Sequence, residues 1–506
     1  MPLENDVNKF IDENYGEIPL YLIREPKIIH LASMGTHKFF KHEIAVIDTP
    51  LIQRLKYISQ LGAVYNVFPT ARHTRFEHTL GVVIAATRIW ESLLENNHLD
   101  YLPESERKRI LLNVRMAAIL HDIGHCPFSH ASEVVLEEFT PIKSEKSRLK
   151  AKPHEILGYY ILKSKAMVDF FEEISNEYKI NLDLEEISNY ILGKTRVPAE
   201  NQFIADIING PFDADKFDYI LRDSNFSGVP LSLGLDRFLV SLGTDTVKTP
   251  QGELRKLILL EKGIMPFEQI VLAKAQLYSA IYHHQKVRAL DQMIISILRL
   301  SISDGIEVNG LKIKSAVDFL KIDDFDILKL STGETKLNQI CKNLKERQTL
   351  KRSLVISSRT IAKDDNLGFQ KILKRGEYTS LIRESNKVLA ERIGGDCTEF
   401  DVALDLPDTP KLGETHERLI KIGTDFFPLK EFFPQEEWIE TYIANKWRGH
   451  IFATEKYRTQ ANTKGMEYLE EEFGIKFNDN ATLWSKILPS VKPQKEIFDF
   501  PLSDRR

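Results

Sequence analysis

The chain has 506 residues, of which 42% are hydrophobic and 28% are charged, as in ordinary soluble globular proteins. Its formal net charge of -5 gives no global basic field, which disfavours a nucleic-acid coat protein or a membrane-surface binder. The three cysteines are spaced too widely for a metal knuckle or a disulfide framework, and no segment has the pattern of a signal peptide or membrane span. We therefore expect a cytoplasmic protein.

The predicted elements begin with a small preface at residues 1–48. Its short apolar runs, IPLYLI, KIIHLA and EIAVID, are broken by polar residues and Gly, which predicts strands or a hairpin. From Thr49 to about residue 300 the apolar spacing is mainly helical. The sequence therefore predicts a mainly α fold with a helical core at residues 49–300.

A polar segment, PIKSEKSRLKAKP, interrupts this core between Pro141 and Pro153. It is basic and poor in large apolar residues, which predicts an exposed connection between helices. Two interpretations remain open for it, a solvated loop or a lid that contacts phosphate.

The C-terminal region, residues 301–490, mixes two kinds of pattern. GIEVNGLKIK, RSLVIS and DVALDL predict short strands, whereas LIRESNKVLAERI and EEWIETYIANKW predict helices. Residues 491–506 have the composition of a loosely packed tail. We therefore expect a smaller mixed α/β region after the helical core.

Seven of the fourteen histidines fall between residues 73 and 154, and His78 is the first that can be placed. In HTRFEHTLGV, Thr74 and Glu77 form a capping box, so a helix starts at about Arg75 with His78 in its first turn. The positive end of the helix dipole disfavours protonation of this imidazole and suits an anion beside it. Taken alone, the segment favours ordinary packing histidines.

His121 and Asp122 follow an apolar run, with Gly124 and Pro127 as helix-stop signals. A carboxylate at the C-terminal end of a buried helix meets the negative end of the dipole and loses hydration, so it needs a cation nearby. A divalent metal meets that need, and mixed nitrogen and oxygen ligands suit Mn, Fe, Zn, Ni or Co more than Ca. The alternative is a salt-bridged Asp beside a core His.

A row of further histidines follows this pair. His130 and Glu133 are three residues apart, so on a helix the carboxylate would orient and charge the imidazole, as a general acid requires. Pro153 at a helix N1 position would place His154 in the first turn of the next helix. Each of these histidines is compatible with a structural role, but together with His125 they predict an accessory catalytic group.

The segment NGPFDADKFDYILRDSNFSG predicts a helix that begins near Asp213. Polar residues recur along one face of this helix, namely Asp215, Tyr219, Arg222 and Asp223. One interpretation is that both opening acids serve the helix N-terminus while Arg222 pairs with Asp218. We favour this role for Asp213. For Asp215 we favour metal ligation, because Lys216 and the Tyr on the same face would supply a phosphate-binding surface.

Three long segments carry a resemblance to a known family. They are IDTPLIQRLKYISQLGAVYNVFPTARHTRFEHTLGV, AAILHDIGHCPFSHASE and DADKFDYILRDSNFSGV. In this order they resemble the signatures of the HD-domain deoxynucleoside triphosphate triphosphohydrolases, bacterial relatives of the sterile-alpha-motif/HD-domain dNTPase, over roughly residues 45–300. The resemblance implies a helical HD-domain core that hydrolyses deoxynucleoside triphosphates to deoxynucleoside and inorganic triphosphate.

The resemblance also implies roles for individual residues. The metal ligands would be His78, His121, Asp122 and Asp215. The catalytic group would include His125, His130 and His154. To it we add Glu133, which would orient His130, our candidate proton donor to the leaving 5′-oxygen. The substrate contacts would be Gln60, Leu61, Arg75, Lys216, Tyr219, Asp223, Lys274 and Tyr282. Within this last set, Gln60 and Leu61 match positions that meet the 3′-hydroxyl, and Tyr282 matches an aromatic residue that excludes a 2′-hydroxyl.

The implied cofactor is one divalent metal ion, among Mn, Fe, Zn, Ni, Co and Mg, with a second Mg²⁺ on the triphosphate. The implied partners are a deoxynucleoside triphosphate substrate, a nucleotide activator and further copies of the chain in a homo-oligomer, dimer or tetramer. Nucleic acid is not favoured, and no membrane is expected. One departure from the family is Lys274 where many members have Arg, which exchanges a bidentate fork for a point charge.

Two other functions stay open on the sequence alone. The same metal site would serve an HD-type phosphodiesterase or nucleotidase, because related folds host different phosphoester chemistry. A nucleotide-binding or single-stranded nucleic-acid-binding regulator without turnover is the other alternative. The complete set of predicted ligands speaks against the regulator, since a binding module has no need of them.

Overall fold

The computed structural model describes residues 2–16, 18–195, 201–249, 252–362, 379–408, 419–432 and 445–485. Its α-helices are α1 Pro2–Tyr15, α2 Lys41–Ile47, α3 Pro50–Gln53, α4 Arg75–Glu95, α5 Glu104–Leu120, α6 His130–Leu136, α7 Thr140–Leu149, α8 Pro153–Leu162, α9 Lys165–Tyr178, α10 Leu184–Ile191, α11 Phe203–Ile208, α12 Ala214–Ser227, α13 Leu235–Leu239, α14 Ile264–Leu277, α15 Gln285–Ser303, α16 Asp324–Lys329, α17 Lys336–Lys345, α18 Thr379–Ile393, α19 Arg458–Phe473 and α20 Asn480–Ser485. Its strands are β1 Lys27–Leu31, β2 Gly35–Phe39, β3 Leu242–Thr249, β4 Gly252–Leu260, β5 Glu307–Val308, β6 Leu311–Lys312, β7 Lys351–Ile356, β8 Val402–Asp405, β9 Leu419–Ile422, β10 Asp425–Pro428 and β11 Gly449–Ala453. The predicted mainly α class is confirmed.

The chain divides into two compact units. The first unit comprises Met1–Thr349 and Pro410–Ile443, and the second comprises Leu350–Thr409 and Ala444–Arg506. Helices α16 and α17 belong to the first unit, although they follow the boundary that we predicted at residue 300. The helical unit therefore extends beyond the residues that carry the family resemblance.

Helix α4 lies at the centre of the first unit and packs against α5 and α12. Its apolar side chains are buried over most of its length. At Gly81 a Cβ atom would lie only 1.8 Å from Oδ1 of Asp218 on α12. Because this is far inside van der Waals contact, α12 can approach α4 here only when residue 81 has no side chain.

The N-terminal preface is a hairpin between helices. Strands β1 and β2 pair antiparallel, from Lys27 opposite Phe39 to Leu31 opposite Gly35, so a hairpin is present as predicted in the run KIIHLA. The run IPLYLI forms no strand, and the chain begins with helix α1, which was not predicted. The run EIAVID, for which we predicted a strand, lies in helix α2. The reason is local, because Glu43 caps the helix by accepting a hydrogen bond from the Phe40 N–H at 2.8 Å.

The predicted exposed connection between Pro141 and Pro153 was wrong for most of its length, because Thr140–Leu149 forms helix α7. Ile142 and Leu149 are buried on one side of this helix. Glu145 is also buried and accepts hydrogen bonds from Arg148 and from the Tyr160 hydroxyl, each at 2.8 Å. Because these hydrogen bonds satisfy the buried carboxylate, this polar segment can pack as a helix, which its composition did not indicate.

The strands form small sheets within each unit. In the first unit β3 and β4 pair antiparallel, β4 pairs parallel with β9, and β9 pairs antiparallel with β10. In the second unit β11 lies between β7 and β8, antiparallel to both. The strands predicted in GIEVNGLKIK, RSLVIS and DVALDL are confirmed, as is the helix in LIRESNKVLAERI. Most of EEWIETYIANKW and the predicted tail lie outside the described residues.

The apolar core of the second unit lies between its sheet and its helices. Leu354 on β7 and Ile451 on β11 are fully buried there, together with Leu469 on α19. Among the described residues, no helix is long and apolar enough to cross a membrane.

Candidate active site

His78 is held in the first turn of α4 by the predicted capping box. The Thr74 N–H donates to Oε2 of Glu77 at 2.7 Å, and the helix begins at Arg75, so both predictions are confirmed. The imidazole is fully buried, and its Nδ1 lies 2.7 Å from Oδ2 of Asp218. A carboxylate can only accept, so Nδ1 carries the proton and the lone pair of Nε2 points away from Asp218.

Asp218 is itself fixed by a buried ion pair. Arg222 donates to it from Nε at 2.7 Å and from Nη2 at 2.8 Å, which confirms the pairing proposed for these two residues. Asp218 is fully buried beside Gly81, whose missing side chain leaves room for it. This carboxylate orients His78 in the manner of the outer partners that hold metal-binding histidines.

His121 follows the last residue of α5 and presents its Nε2 to the same place. Its Nδ1 lies 2.8 Å from the carbonyl oxygen of Ala118, which again places the proton on Nδ1. The two Nε2 atoms of His78 and His121 are 3.3 Å apart. Two lone pairs this close repel unless a proton or a metal cation lies between them, so the pair fits a cation.

Two carboxylates complete this cluster. Oδ1 of Asp215, in the first turn of α12, lies 2.9 Å from Nε2 of His78. The two oxygens of Asp122 lie 3.7 Å from Nε2 of His78 and 3.4 Å from Nε2 of His121. Ligand atoms of His78, His121 and Asp215 all lie within 4.8 Å of one another, a grouping that could hold a metal ion. Asp122 falls instead in a neighbouring grouping, with His125 and His154.

The charges in the cluster favour a cation. Burial opposes protonation of His78, yet hydrogen bonds with Asp215 and Asp218 raise its pKa to about 10. Burial likewise opposes ionisation of Asp122, but Arg75 and the nearby imidazoles hold the pKa of its carboxyl well below the usual range. The carboxylates are therefore ionised at neutral pH and stabilise positive charge at Nε2 of His78, which either a proton or a divalent ion supplies.

The turn after Asp122 is held tightly against its neighbours. Arg54 donates from Nη2 to the carbonyl oxygens of Ile123, at 2.6 Å, and of His125, at 2.7 Å. A Cβ atom on Gly124 would lie 2.1 Å from the carbonyl oxygen of His154. The chain can therefore pass this close to α8 only with Gly at that position, and this closeness brings His125 to His154.

A second set of histidines lies beside Asp122. The rings of His125 and His154 stack with centroids 3.8 Å apart, and Nε2 of His125 is 3.2 Å from Oδ1 of Asp122. Glu133 contacts Nδ1 of His130 at 3.0 Å and also bonds Nδ1 of His154. Helix α6 starts at His130 and α8 starts at Pro153, so the helical placements predicted for these histidines are confirmed.

His130 differs from the other histidines in its exposure. Its side chain is 70% exposed, whereas that of His154 is 8% exposed. Burial opposes ionisation of Glu133, but the imidazoles of His154 and His130 hold its pKa well below the usual range. The structure thus joins a solvent-facing imidazole to an ionised carboxylate.

The predicted phosphate-binding residues are arranged around Asp122 and α12. Arg75 donates from Nη1 to Asp122 at 2.8 Å and from Nε to Ser129 Oγ at 2.9 Å, while its buried Nη2 has no hydrogen-bond partner among the described residues. Lys216 donates from Nζ to Asp213 at 2.5 Å, and Asp213 caps α12, as predicted for it. Lys274 lies with Lys216 along one small cavity, and Tyr219 is half-buried on the same helix as Lys216.

The predicted sugar-contacting residues form two places in the structure. The Tyr282 hydroxyl donates to Oδ2 of Asp223 at 2.5 Å, within a π-helical turn at Tyr278–Tyr282. Gln60 is buried, and its side-chain Oε1 has no hydrogen-bond partner among the described residues. Its backbone N–H donates to the carbonyl oxygen of His73. Leu61 follows it and is partly buried. Because Nε2 of His73 lies 2.8 Å from Asp223, these two places are joined through His73.

Sequence reasoning missed several residues of this site. The contact between Asp218 and His78 was not predicted. Only the pairing of Asp218 with Arg222, four residues later on the same helix, could be read from the sequence. His73 was treated only as one more histidine, and Arg54 carried no motif. Ser129, in the loop before His130, and Asp324, which contacts that loop, gave no signal because their partners are distant in the sequence.

Comparisons with known proteins place the candidate site in a region that matches a known domain. Residues 75–216 match the HD domain model, and residues 250–476 match the HD associated region model. An uncharacterized protein of Methanocaldococcus jannaschii is 32% identical over 287 residues, 56% of this chain and 51% of that protein. The deoxynucleoside triphosphate triphosphohydrolase SAMHD1 of Bos taurus is 29% identical over 64% of this chain and 58% of that protein. Human SAMHD1 is 28% identical over 67% of this chain and 55% of that protein.

A solved structure shows the same fold. The crystal structure of a hypothetical protein from Aquifex aeolicus has a TM-score of 0.60 and 23% sequence identity, over 87% of this chain and 99% of that one. The chain spans only about half to three-fifths of the length of the curated relatives named above. The HD match begins at the first residue of α4 and ends in the first turn of α12, so it spans the candidate metal ligands. The chain therefore carries a match to the HD domain at residues 75–216 and is similar to the deoxynucleoside triphosphate triphosphohydrolases.

Proposed function

We propose that this protein hydrolyses deoxynucleoside triphosphates to deoxynucleoside and inorganic triphosphate, with a divalent metal held by His78, His121, Asp122 and Asp215. The observation that carries the proposal is the convergence of two Nε2 lone pairs and two ionised carboxylates at one point. Each imidazole has its Nδ1 occupied by an oxygen acceptor, so Nε2 is the free ligand atom. The donor set of nitrogen and oxygen suits Mn, Fe, Zn, Ni or Co.

When bound, the divalent ion supplies Lewis acidity toward a phosphate oxygen and a nucleophile at neutral pH. The residues around it bind and orient the phosphates. Arg75 is fixed by two hydrogen bonds and keeps one guanidinium nitrogen unpaired, which suits an anionic oxygen. Nδ1 of the buried His125 ring has no hydrogen-bond partner among the described residues, whereas its Nε2 lies 3.2 Å from Oδ1 of Asp122. We place this ring against the α-phosphate, beside that carboxylate.

His130 is the proposed proton donor to the leaving 5′-oxygen. It stands at the solvent-exposed edge of the site, where a leaving group can reach it, and its Nδ1 faces the ionised carboxylate of Glu133. The carboxylate accepts the Nδ1 proton and fixes the orientation of the ring, as a general acid requires. His154 shares the same carboxylate and lies against His125, so it stabilises the charge on the phosphate side.

Preference for a deoxyribose rests on Gln60, Asp223 and Tyr282. Tyr282 is hydrogen-bonded to Asp223, which closes the space beside that carboxylate. Gln60 presents a buried, unpaired amide oxygen that can accept a sugar hydroxyl. The similarity to SAMHD1 proteins supports this substrate class.

Product analysis tests the proposal. Protein loaded with each divalent metal in turn is incubated with each deoxynucleoside and ribonucleoside triphosphate, and nucleoside, monophosphate and triphosphate are separated. We expect inorganic triphosphate and deoxynucleoside, with ribonucleotides hydrolysed more slowly. Release of monophosphate or free phosphate would show a phosphodiesterase or nucleotidase. Tight nucleotide binding with no product under any metal would show a regulator instead.

A further inference from the structure

Asp324 is a buried carboxylate that the proposed reaction does not use. It is the first residue of α16, far along the chain from the residues that carry the family resemblance, and only 5% of its surface is exposed. Its Oδ1 accepts a hydrogen bond from the Phe128 N–H at 2.7 Å, and its Oδ2 accepts one from the Ser59 N–H at 2.9 Å. One side chain therefore ties together two loops that border the candidate site.

The loop that Asp324 holds has an unfavourable backbone. Phe128 and Ser129 have φ values of 55° and 50°, in the left-handed region that residues with a side chain rarely adopt. Such conformations persist only where the surroundings over-determine them. His130 follows these two residues directly, so the position of its imidazole depends on their conformation.

Hydrogen bonds connect this anchor to Asp122. The Ser129 hydroxyl donates to the carbonyl oxygen of Ser59 at 2.6 Å and accepts from Arg75 Nε at 2.9 Å. Arg75 in turn donates to Asp122 at 2.8 Å. Burial raises the pKa of Asp324 to about 6, so the ionised carboxylate still prevails at neutral pH and can accept both N–H groups.

We infer that Asp324 is a positioning residue, which holds the strained Phe128–Ser129 loop so that Ser129 fixes Arg75 and His130 faces the substrate. This inference rests on the proposed function for its effect on turnover. Its structural part does not, because the anchoring of the Phe128 and Ser59 N–H groups can be measured without any substrate.

The test compares Asp324→Asn with Asp326→Asn. Asp326 lies on the same helix and is also 5% exposed, but it bonds Asp323, Asn309 and Lys329 rather than the site loops. We expect Asp324→Asn to lower kcat about 10-fold to 100-fold, with KM and bound metal within about 3-fold of the unmodified protein, because a small misplacement of reacting groups has this effect. We expect Asp326→Asn to leave kcat within about 3-fold.

Hydrogen–deuterium exchange provides the readout that needs no activity. Peptides containing Ser59 and Phe128 should exchange faster in Asp324→Asn than in the unmodified protein and should be unchanged in Asp326→Asn. Unaltered exchange at both peptides would overturn the inference. So would a fall in kcat of equal size in the two variants, since that would reflect a general loss of stability.

A second variant covers the case in which Asp324→Asn does not fold. Ser129→Ala removes the hydroxyl between the Ser59 carbonyl and Arg75 while leaving Asp324 in place, and it should lower kcat with metal content unchanged. Undiminished kcat in Ser129→Ala would contradict the inference that Asp324 acts on Arg75 through Ser129. If the unmodified protein releases no triphosphate, the proposed function fails, and the exchange measurement still decides whether Asp324 anchors the loops.

Discussion

Two sets of histidines border Asp122, and they differ in what holds their Nδ1 atoms. The first set is the ligand pair, His78 and His121. Nδ1 of His78 meets a carboxylate that Arg222 neutralises, and Nδ1 of His121 meets a backbone carbonyl oxygen. In the accessory set, His130 and His154 share the single carboxylate of Glu133 on their Nδ1 atoms. His125, the third member of the accessory set, stacks on His154.

The difference teaches how one residue type serves two roles. A partner that holds the Nδ1 proton fixes the tautomer and turns Nε2 toward the cluster, where a proton or a metal cation is stabilised. A single carboxylate shared by two imidazoles holds both rings in fixed orientations, which suits proton donation and the binding of phosphate. The sequence spacing alone does not separate these roles, because both sets lie near helix ends.

The largest expected effect comes from removing a member of the ligand pair. His121→Ala should lose the bound metal and lower turnover by about 1000-fold or more. The reason is that the variant lacks one of the four proposed ligands, and no other side chain at the rigid end of α5 can replace it. Metal content and triphosphate release measure it. His125→Ala is the matched control in the accessory set, and it should keep its metal. Equal metal loss in both variants would erase the distinction between the two sets.

His130→Ala should lower kcat by about 100-fold to 10,000-fold, which is the usual range for a general acid, while bound metal and thermal stability stay unchanged. The exposed position of the side chain makes a folding defect unexpected. Steady-state kinetics with metal analysis on the same sample tests it. Undiminished turnover would remove His130 from the role of proton donor.

Asp218→Asn should weaken metal affinity by about 10-fold to 100-fold, the usual effect of losing an outer partner of a ligand histidine. Turnover should recover at high metal concentration, since the four proposed ligands remain. Titration of the metal-free protein measures the affinity. Asp213→Asn, which changes a carboxylate at the start of the same helix without contact to His78, serves as the comparison.

The smallest effect concerns acid stability and Glu133. Its pKa is held well below the usual range in the folded protein, so the folded state binds fewer protons than the unfolded state in mildly acid solution. Its stabilising contribution is therefore complete above the pKa of the unfolded chain, about 4.3, and is lost as the pH falls toward the folded value.

Urea unfolding of metal-free protein from neutral to acid pH measures this contribution. The unmodified protein should exceed Glu133→Gln in stability by less than about 3 kcal/mol at neutral pH, and the gap should narrow on acidification. A gap that stays constant with pH would show that Glu133 does not stabilise the fold through its charge.

Much of the candidate site could be predicted from the sequence where the signal is local. The capping box set the start of α4, Pro153 set the start of α8, and Asp213 was placed correctly as the cap of α12. These succeed because capping depends on residues within one helical turn. Helix α7 was missed because its buried Glu145 is satisfied by Tyr160, a residue on another helix.

The sequence by itself determined the helical class, the family resemblance and the residues from which a metal cluster could be built, since these follow from local periodicity and contiguous motifs. Only the tertiary structure decided how these residues meet. The close approach at Gly81 brings Asp218 to His78, and Asp324 reaches Ser59 and Phe128 across more than half of the first unit's sequence. The reason is physical, because a hydrogen bond is set by distance and direction in space and leaves no periodic trace along the chain.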